Sequence, residues 1–387
     1  MSPRARVGVV VALLGFGCGD ASEQPLPSEP RSDDATHESD LHDFTVTTVV
    51  EGLEHPWGMV FLPDGDILVT ERPGRLRIVR DGALLPDPVS GLPDAESGGQ
   101  GGQLDVALHP RFSTSRMVYL TYAKRRGNGD RTTMVARGRL VDDALEDVEE
   151  IFEADAWTGH DEHFGSRLAF DADGYLYVSI GERGERDEAQ DLSNHQGTIA
   201  RLSEDGGVPS DNPFLGDEDA LPEIWAYGIR NAQGLAFHPG TGALWASEHG
   251  PLGGDEINVI RSGRNYGWPE VTYGLDYDGS RISDRTEEEG MERPVHHWEQ
   301  DSPATSGLAF YQGAAFPAWQ GDAFVGGLSG RQLVRLDIEN EEVLHTEILL
   351  RELGHRIRDV REGPDGFLYL LVDDERAPML RLEPVGP

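Results

Sequence analysis

One unit recurs six times along the chain. Each copy opens on polar or charged residues, runs into a short apolar stretch and closes on a turn. The copies are HPWGMVFLPDG from His55, GQGGQLDVALHP from Gly99, HFGSRLAFDADG from His163, RNAQGLAFHPG from Arg230, SPATSGLAFYQG from Ser302 and RIRDVREGPDG from Arg356. A turn and a second, alternating apolar run follow, as in DGDILVTERPG, DADGYLYVSIGERG, HPGTGALWASEHG and GPDGFLYLLVDDE, with HPRFSTSRMVYLTYA and FPAWQGDAFVGGLSG as looser copies. Such runs, punctuated by Asp, Pro and Gly, read as short strands joined by turns. Aligning the second runs on Leu68, Val118, Leu176, Leu244, Ala323 and Leu368 gives spacings of 45 to 79 residues, with a mean of 60.

Self-similarity at this period, with several strands per copy, means a propeller or a solenoid. A solenoid would keep shorter and more constant units. Six copies, with few long amphipathic helical patterns, predict an all-β, six-bladed β-propeller with four-stranded antiparallel blades around a central channel. The 48 Gly and 24 Pro supply the turns, and 37% hydrophobic residues in a chain of 387 supply a large core. Equivalent positions of a propeller's blades share one face. The polar residues that open each copy are therefore expected at one mouth of the channel: His55, Gln100, His163, Arg230, Asn231, Ser302, Arg356 and Arg358.

Those residue types suggest chemistry. His163 is a candidate general base, since a neutral imidazole takes a hydroxyl proton near neutral pH; the preceding Asp161 and Glu162 are candidates to orient it. Arg230, Arg356 and Arg358 can pair with carboxylates, which in so acidic a chain suggests a small polyanionic ligand; structural ion pairs with Asp359, Asp365 or other acids are the alternative. Gln100 and Asn231 can hydrogen-bond a ligand in either direction. The stretch EHGPLGGDEINVIRSGRNYGW, Glu248 to Trp268, is rich in carbonyls and acids of the kind that suit calcium. His296 and His297 are adjacent and lack zinc spacing. No glycine-rich dinucleotide loop, Walker loop or GxSxG elbow is present, so NAD, ATP and serine-hydrolase readings lack support.

The formal net charge of −37 argues against nucleic-acid binding, which needs Lys and Arg against phosphate, and against docking on anionic lipid. Residues 1–17 read as a signal peptide, with Arg4 and Arg6 before an apolar run. Cys18, the single cysteine, follows directly and is a candidate lipidation site; it excludes an intrachain disulfide. Residues 18–44 read as an acidic flexible tether, and 45–387 as the propeller. The expected location is the periplasm or cell envelope, with the membrane reached only through a lipid anchor, the outer membrane favoured; simple secretion is the alternative.

Taken in order, GLEHPWGMVFLPDGDILVTER, GQGGQLDVALHPRF, HFGSRLAFDADGYLYVSIGERG, AQDLSNHQGTIARL, PEIWAYGIRNAQGLAFHP, EHGPLGGDEINVIRSGRNYGWP, SPATSGLAFYQG and RIRDVREGPDGFLYLLVDD resemble the soluble pyrroloquinoline-quinone (PQQ)-dependent sugar dehydrogenases, the aldose sugar dehydrogenase branch above all. The resemblance implies a six-bladed propeller that oxidises aldoses at C1 to lactones with PQQ and Ca²⁺. By that resemblance His163 is the base; Arg230 is catalytic and a cofactor ligand; Gln100, Asn231, Tyr277, Trp298 with the segment that runs on to Pro303, Arg356 and Arg358 belong to the cofactor pocket. Gly250, Pro251, Glu256 and Tyr266 are implied metal ligands, Tyr266 by its carbonyl. Where some relatives carry a lysine in the fifth-blade loop this chain has Ser329, and Arg331 is the candidate to replace its charge. The implied partners are an aldose and an unidentified electron acceptor. Two other readings stay open on the residues alone: a calcium-dependent lactonase or esterase propeller, and a non-catalytic propeller that binds glycans or a protein.

Overall fold

The computed structural model describes residues 31–385; the leader and Cys18 lie outside them. The described chain forms six sheets arranged in sequence order as blades of a propeller, with one α-helical turn and three short 3-10 turns. The first blade runs Pro56–Phe61, Ile67–Glu71, Arg75–Arg80, Ala83–Leu84; the second Gln103–Leu108, Met117–Arg125, Arg131–Val141, Ala144–Glu153; the third Leu168–Phe170, Leu176–Ile180, Thr198–Leu202, Ile224–Tyr227. The fourth is Ala232–Phe237, Leu244–Glu248, Asp255–Ile260, His296–Trp298, and the fifth Thr305–Phe310, Ala323–Gly327, Gln332–Glu339, Glu342–Leu349. These runs pair antiparallel, and Arg264–Asn265 adds a short parallel strand to the third blade.

The sixth blade closes the ring. Ile357–Glu362, Leu368–Val372 and Ala377–Pro384 are completed by Phe44–Leu53 from the other end of the chain, with Val46 opposite Leu382 and Thr48 opposite Leu380. Closure by backbone hydrogen bonds between first and last strands locks the circle of sheets. Arg31–His37 then pairs outside Phe44–Leu53 as a fifth strand. Part of the segment expected to be a flexible tether is therefore sheet, because the exposed edge of Phe44–Leu53 offers it unpaired backbone groups.

The core lies between blades. Separate apolar clusters fill successive interfaces, such as Leu68, Ile78, Val106 and Leu120 between the first and second blades, and Trp245, Leu308, Val325 and Leu336 between the fourth and fifth. The largest joins the sixth blade to its two neighbours and holds Phe44, Phe316, Trp319 and Phe324, with Phe316 stacked on Trp319 at 4.3 Å.

One register differs from the sequence reading. Phe170 faces Leu176 and Phe310 faces Ala323, and the matching pair in the first blade is Phe61 with Ile67. The equivalent of Leu176 is thus Ile67, one residue before Leu68. Ile67, Leu68 and Val69 are all buried; a strand apolar on both faces carries no alternation from which to read its register.

Candidate active site

The innermost strand of every blade begins at the same end of the channel, where the polar openings of the repeat gather around a cavity of about 750 Å³. Gln100, Asn231, Pro251, Ser302, Tyr277, Arg356 and Arg358 line it, drawn from all round the ring. His163 and Arg230 are not on its wall; each bonds a residue that is, His163 to Gln100 and Arg230 to Tyr277.

His163 is buried and sits in the left-handed backbone region at φ 52°, a conformation that a non-glycine residue holds only when its surroundings impose it. Its backbone N–H donates to Gln100 Oε1 at 3.0 Å. Its ring Nδ1 meets Glu182 Oε1 at 2.8 Å. A carboxylate only accepts, so Nδ1 carries the proton and Nε2 is left as the basic nitrogen. Burial alone would raise the Glu182 carboxyl, but the hydrogen bond and charge of His163, with Arg230 and the Gly184 N–H, hold it below the usual range. The orienting acid is therefore Glu182, and not Asp161 or Glu162: those two adjoin His163 in sequence, but it is Glu182 that meets its ring, while the Asp161 carbonyl accepts from the Gln100 N–H at 2.7 Å. The Glu162 carbonyl is instead gripped by the buried Arg183 guanidinium, which also donates to the His160 carbonyl.

Arg230 is fixed at both ends. Its backbone N–H donates to Glu248 Oε1 at 2.6 Å, and its carbonyl accepts from the Glu182 N–H at 2.9 Å, tying it to the partner of the base. Its Nη1 donates to the carbonyls of His249 and Gly250, each at 2.7 Å, and its Nη2 to the Tyr277 hydroxyl at 3.4 Å. Asn231 Oδ1 accepts from the Gly165 N–H at 3.1 Å, joining the fourth blade to the loop of the base.

A cationic wall faces these groups. Arg358 and Arg356 donate to Asp373 Oδ2 at 3.0 and 3.2 Å, and Arg72 and His55 reach Oδ1 at 3.8 and 3.0 Å. The acid that Arg356 and Arg358 meet is thus Asp373, and neither Asp359 nor Asp365. Burial would raise the Asp373 carboxyl, yet Arg358, His55, Arg72 and Arg356 hold it well below the carboxylate range. Three guanidiniums share one carboxylate, so the wall keeps a positive excess inside a strongly acidic protein. Burial lowers Arg358 to about 10. Arg358 Nε, His249 Nδ1 and Ser302 Oγ are buried beside or on the cavity with no partner among the described residues.

Arg72, Asp373, Trp57 and Gln233 also line the cavity and were not singled out in the sequence. Arg72 sits within the quoted DGDILVTERPG and Asp373 within GPDGFLYLLVDDE, so the repeat held both positions, but neither opens a copy. Ser329 lines the cavity. Arg331 does not replace a charge there: its Nη1 donates to the Gly354 carbonyl at 3.1 Å on the exposed side, since the two-residue offset carries it round the turn.

The implied metal residues divide. Pro251 lines the cavity, whereas Gly250 does not, and its carbonyl is taken by Arg230. Glu256 lies deeper in the fourth blade beside Glu248, and Asn258 Nδ2 reaches Glu256 at 3.1 Å and Glu248 at 3.4 Å. Burial pushes Glu256 up to about 7, with Asp255 adding to it, and Glu248 well above its usual value, with Glu256 adding to it. Asn258 Oδ1 has no partner among the described residues. The Tyr266 ring is in the core between the third and fourth blades, its hydroxyl donating to the Val259 carbonyl at 2.7 Å. The Trp298 ring packs toward the core of the fourth and fifth blades while its carbonyl accepts from the Gly254 N–H at 2.6 Å; the residues after it, Glu299 to Ser302, are the ones that face the cavity. Among the described residues no cluster of three or more His, Cys, Asp and Glu side chains is disposed to hold a metal.

Residues 53–381 match the family model for glucose and sorbosone dehydrogenases. The chain is 44% identical to an aldose sugar dehydrogenase of Escherichia coli K12, YliI, over 88% of this chain and 92% of that one. The solved apo-form structure of the soluble aldose sugar dehydrogenase from Escherichia coli superposes with a TM-score of 0.86 at 42% identity, over 88% of this chain and all of that one. The PQQ-bound form of an aldose sugar dehydrogenase from Streptomyces coelicolor superposes with a TM-score of 0.73 at 28% identity, over 87% of this chain and 96% of that one.

Proposed function

Since the chain belongs to the glucose and sorbosone dehydrogenase family, a family of sugar oxidoreductases, we propose that it oxidises aldoses at C1 to lactones with PQQ in the cavity. The observation that carries this reading is the pairing of a carboxylate-oriented histidine with a cationic wall across one cavity. The residues suit a planar tricarboxylate: Arg72, Arg356 and Arg358 outnumber their shared Asp373, and Arg358 Nε has a hydrogen bond still to make. An unmade hydrogen bond on a buried cation is costly, and an anionic ligand would supply it.

In this reading Arg356 and Arg358 hold carboxylates of the cofactor, with Arg72, Gln100, Asn231 and Tyr277 around it. The bound quinone supplies a two-electron acceptor for the hydride leaving C1. His163 takes the C1 hydroxyl proton at Nε2, and the resulting imidazolium is stabilised by Glu182 at 2.8 Å. Arg230 holds a fixed positive charge beside the same loop, where preorganised charge favours a developing anion. The electron acceptor and the preferred aldose belong to the proposal without a name. So does an envelope location through the leader and Cys18; among the described residues no helix is long and apolar enough to cross a membrane.

Titrating PQQ into the purified protein with Ca²⁺ is expected to perturb the quinone absorbance stoichiometrically, and an aldose is then expected to bleach it, with turnover on an artificial acceptor. A lactonase would hydrolyse lactones without quinone. The cationic wall, where a lactonase would need acids around a metal, weighs against that reading. A protein that binds PQQ but leaves it oxidised across a panel of aldoses would refute the proposal.

Calcium is part of the same proposal. The Glu248–Glu256 pair sets two buried carboxyls, both pushed up by burial, next to an amide oxygen with no partner among the described residues; a bound cation would ionise them, and carboxylate and amide oxygens are the hard-oxygen set that calcium takes. Adding Ca²⁺ to the cofactor-free protein is expected to raise its Tm by a few degrees, since a ligand at a hundredfold over its Kd adds about 2.7 kcal/mol. Glu256→Gln is expected to abolish that rise. An unchanged calcium response in the variant would place the ion elsewhere.

A further inference from the structure

The channel below the cavity is closed by a residue that the chemistry above does not use. Just before the inner-strand residues Met59, Val106, Leu168, Leu235, Leu308 and Val360, the six blades place Gly58, Asp105, Arg167, Gly234, Gly307 and Asp359. Arg167 is 1% exposed, and its guanidinium bridges Asp105 at 3.2 Å and Asp359 at 3.0 Å across the channel. Arg361 meets Asp359 at 3.1 Å and Asp105 at 3.6 Å, so two arginines balance two aspartates. Glycine at 58 and 307 makes room: a Cβ there would lie 2.4 Å from Asp105 Oδ1 and 2.3 Å from Asp359 Oδ1.

The remaining donors of Arg167 point at the layer above. Nε donates to the Gln233 carbonyl at 2.6 Å, and Nη2 donates to the Arg358 carbonyl at 3.1 Å and reaches the Trp57 carbonyl at 3.5 Å. Its guanidinium also lies 4.0 Å from the Trp57 ring centroid. Trp57, Gln233 and Arg358 all line the cavity. Moreover, Arg358 Nη1 donates to Gln233 Oε1 at 2.7 Å. One planar guanidinium thus grips the backbone of both partners of a side-chain pair contributed by the fourth and sixth blades. A planar fork with five donors can do this, and a lysine ammonium, a point charge on a flexible stem, cannot match it.

We propose that Arg167 is a positioning residue for cofactor binding, holding the backbones of Gln233 and Arg358 so that the Arg358 guanidinium is presented to the cavity in one orientation. The inference rests on the reading of Arg358 as a ligand of the anionic cofactor.

The test measures PQQ affinity by titration at fixed Ca²⁺, with a melting curve for each cofactor-free protein. Arg167→Lys keeps the charge between the two aspartates and loses the fork. It is expected to weaken PQQ binding about tenfold or more, the usual size of an effect on a ligand-orienting partner. In an Arg358→Ala background the same change is expected to have little further effect, because residues that act through one another are not additive. Gly58→Ala, which crowds Asp105 and alters no cavity-lining side chain, is expected to weaken PQQ binding in the same direction. A merely structural Arg167 would lower the Tm and leave PQQ affinity unchanged, or weaken it equally in both backgrounds; either result overturns the proposal. If Arg358→Ala alone leaves PQQ affinity unchanged, the cofactor reading of Arg358 fails first, and the inference with it.

Discussion

His163→Gln is expected to lower turnover about 10²–10⁴-fold, the usual cost of losing a general base, with PQQ affinity and Tm near those of the parent. Glutamine is close to histidine in reach and can still hydrogen-bond Glu182, but it has no basic nitrogen. The backbone N–H that Gln100 accepts is untouched, so the loop keeps its place. Glu182→Gln is expected to fall between parent and His163→Gln, because an amide can donate to Nδ1 and thereby turn the ring to the wrong tautomer. The Glu182 carboxyl is held below its usual range in the folded protein. A depressed carboxyl contributes stability that is present above its unfolded pKa and lost as pH falls through the folded one. Glu182 therefore stays ionised at neutral and mildly acidic pH, so its own protonation does not set the rate profile there. Steady-state rates against pH for the three proteins check this; parental turnover in His163→Gln would remove the histidine from the mechanism.

Replacing Arg356 and Arg358 together with Ala is expected to weaken PQQ binding by several kcal/mol, since each charge-assisted contact contributes roughly 1.5–3 kcal/mol. From the sequence, the stability of the cofactor-free protein should change little or rise, as clustered like charges would repel. The structure revises that expectation. Both arginines pair with the buried Asp373, so their removal leaves that carboxylate with only Arg72 and His55 and is expected to lower the Tm. Asp373→Asn separates the two roles. It also costs stability, but it frees the arginines from their only shared anion and is expected to keep or raise PQQ affinity. Quinone titrations and melting curves on the three proteins decide; a double Ala variant with parental PQQ affinity would make the wall purely structural.

What the sequence alone determined about this protein was what local chemistry encodes. Asp/Gly turns and short apolar runs declare strands within a few residues, and their sixfold recurrence specified the propeller. Because equivalent positions in a closed ring share a face, the repeat also gathered Gln100, His163, Arg230, Asn231, Arg356 and Arg358 before any coordinates. Tertiary structure alone decided the partners. Glu182 is 19 residues from His163, in a strand-to-turn segment that opens no copy of the repeat, and Asp373 meets His55 across 318 residues. Such pairs leave no periodic trace, because their energy arises only when the ring closes. The same holds for that closure, made by Phe44–Leu53 against Ala377–Pro384, and for Arg167. In the sequence Arg167 is one polar residue before an apolar run; in the fold, between Asp105 and Asp359 and bonded to Trp57, Gln233 and Arg358, it is a point where five blades meet.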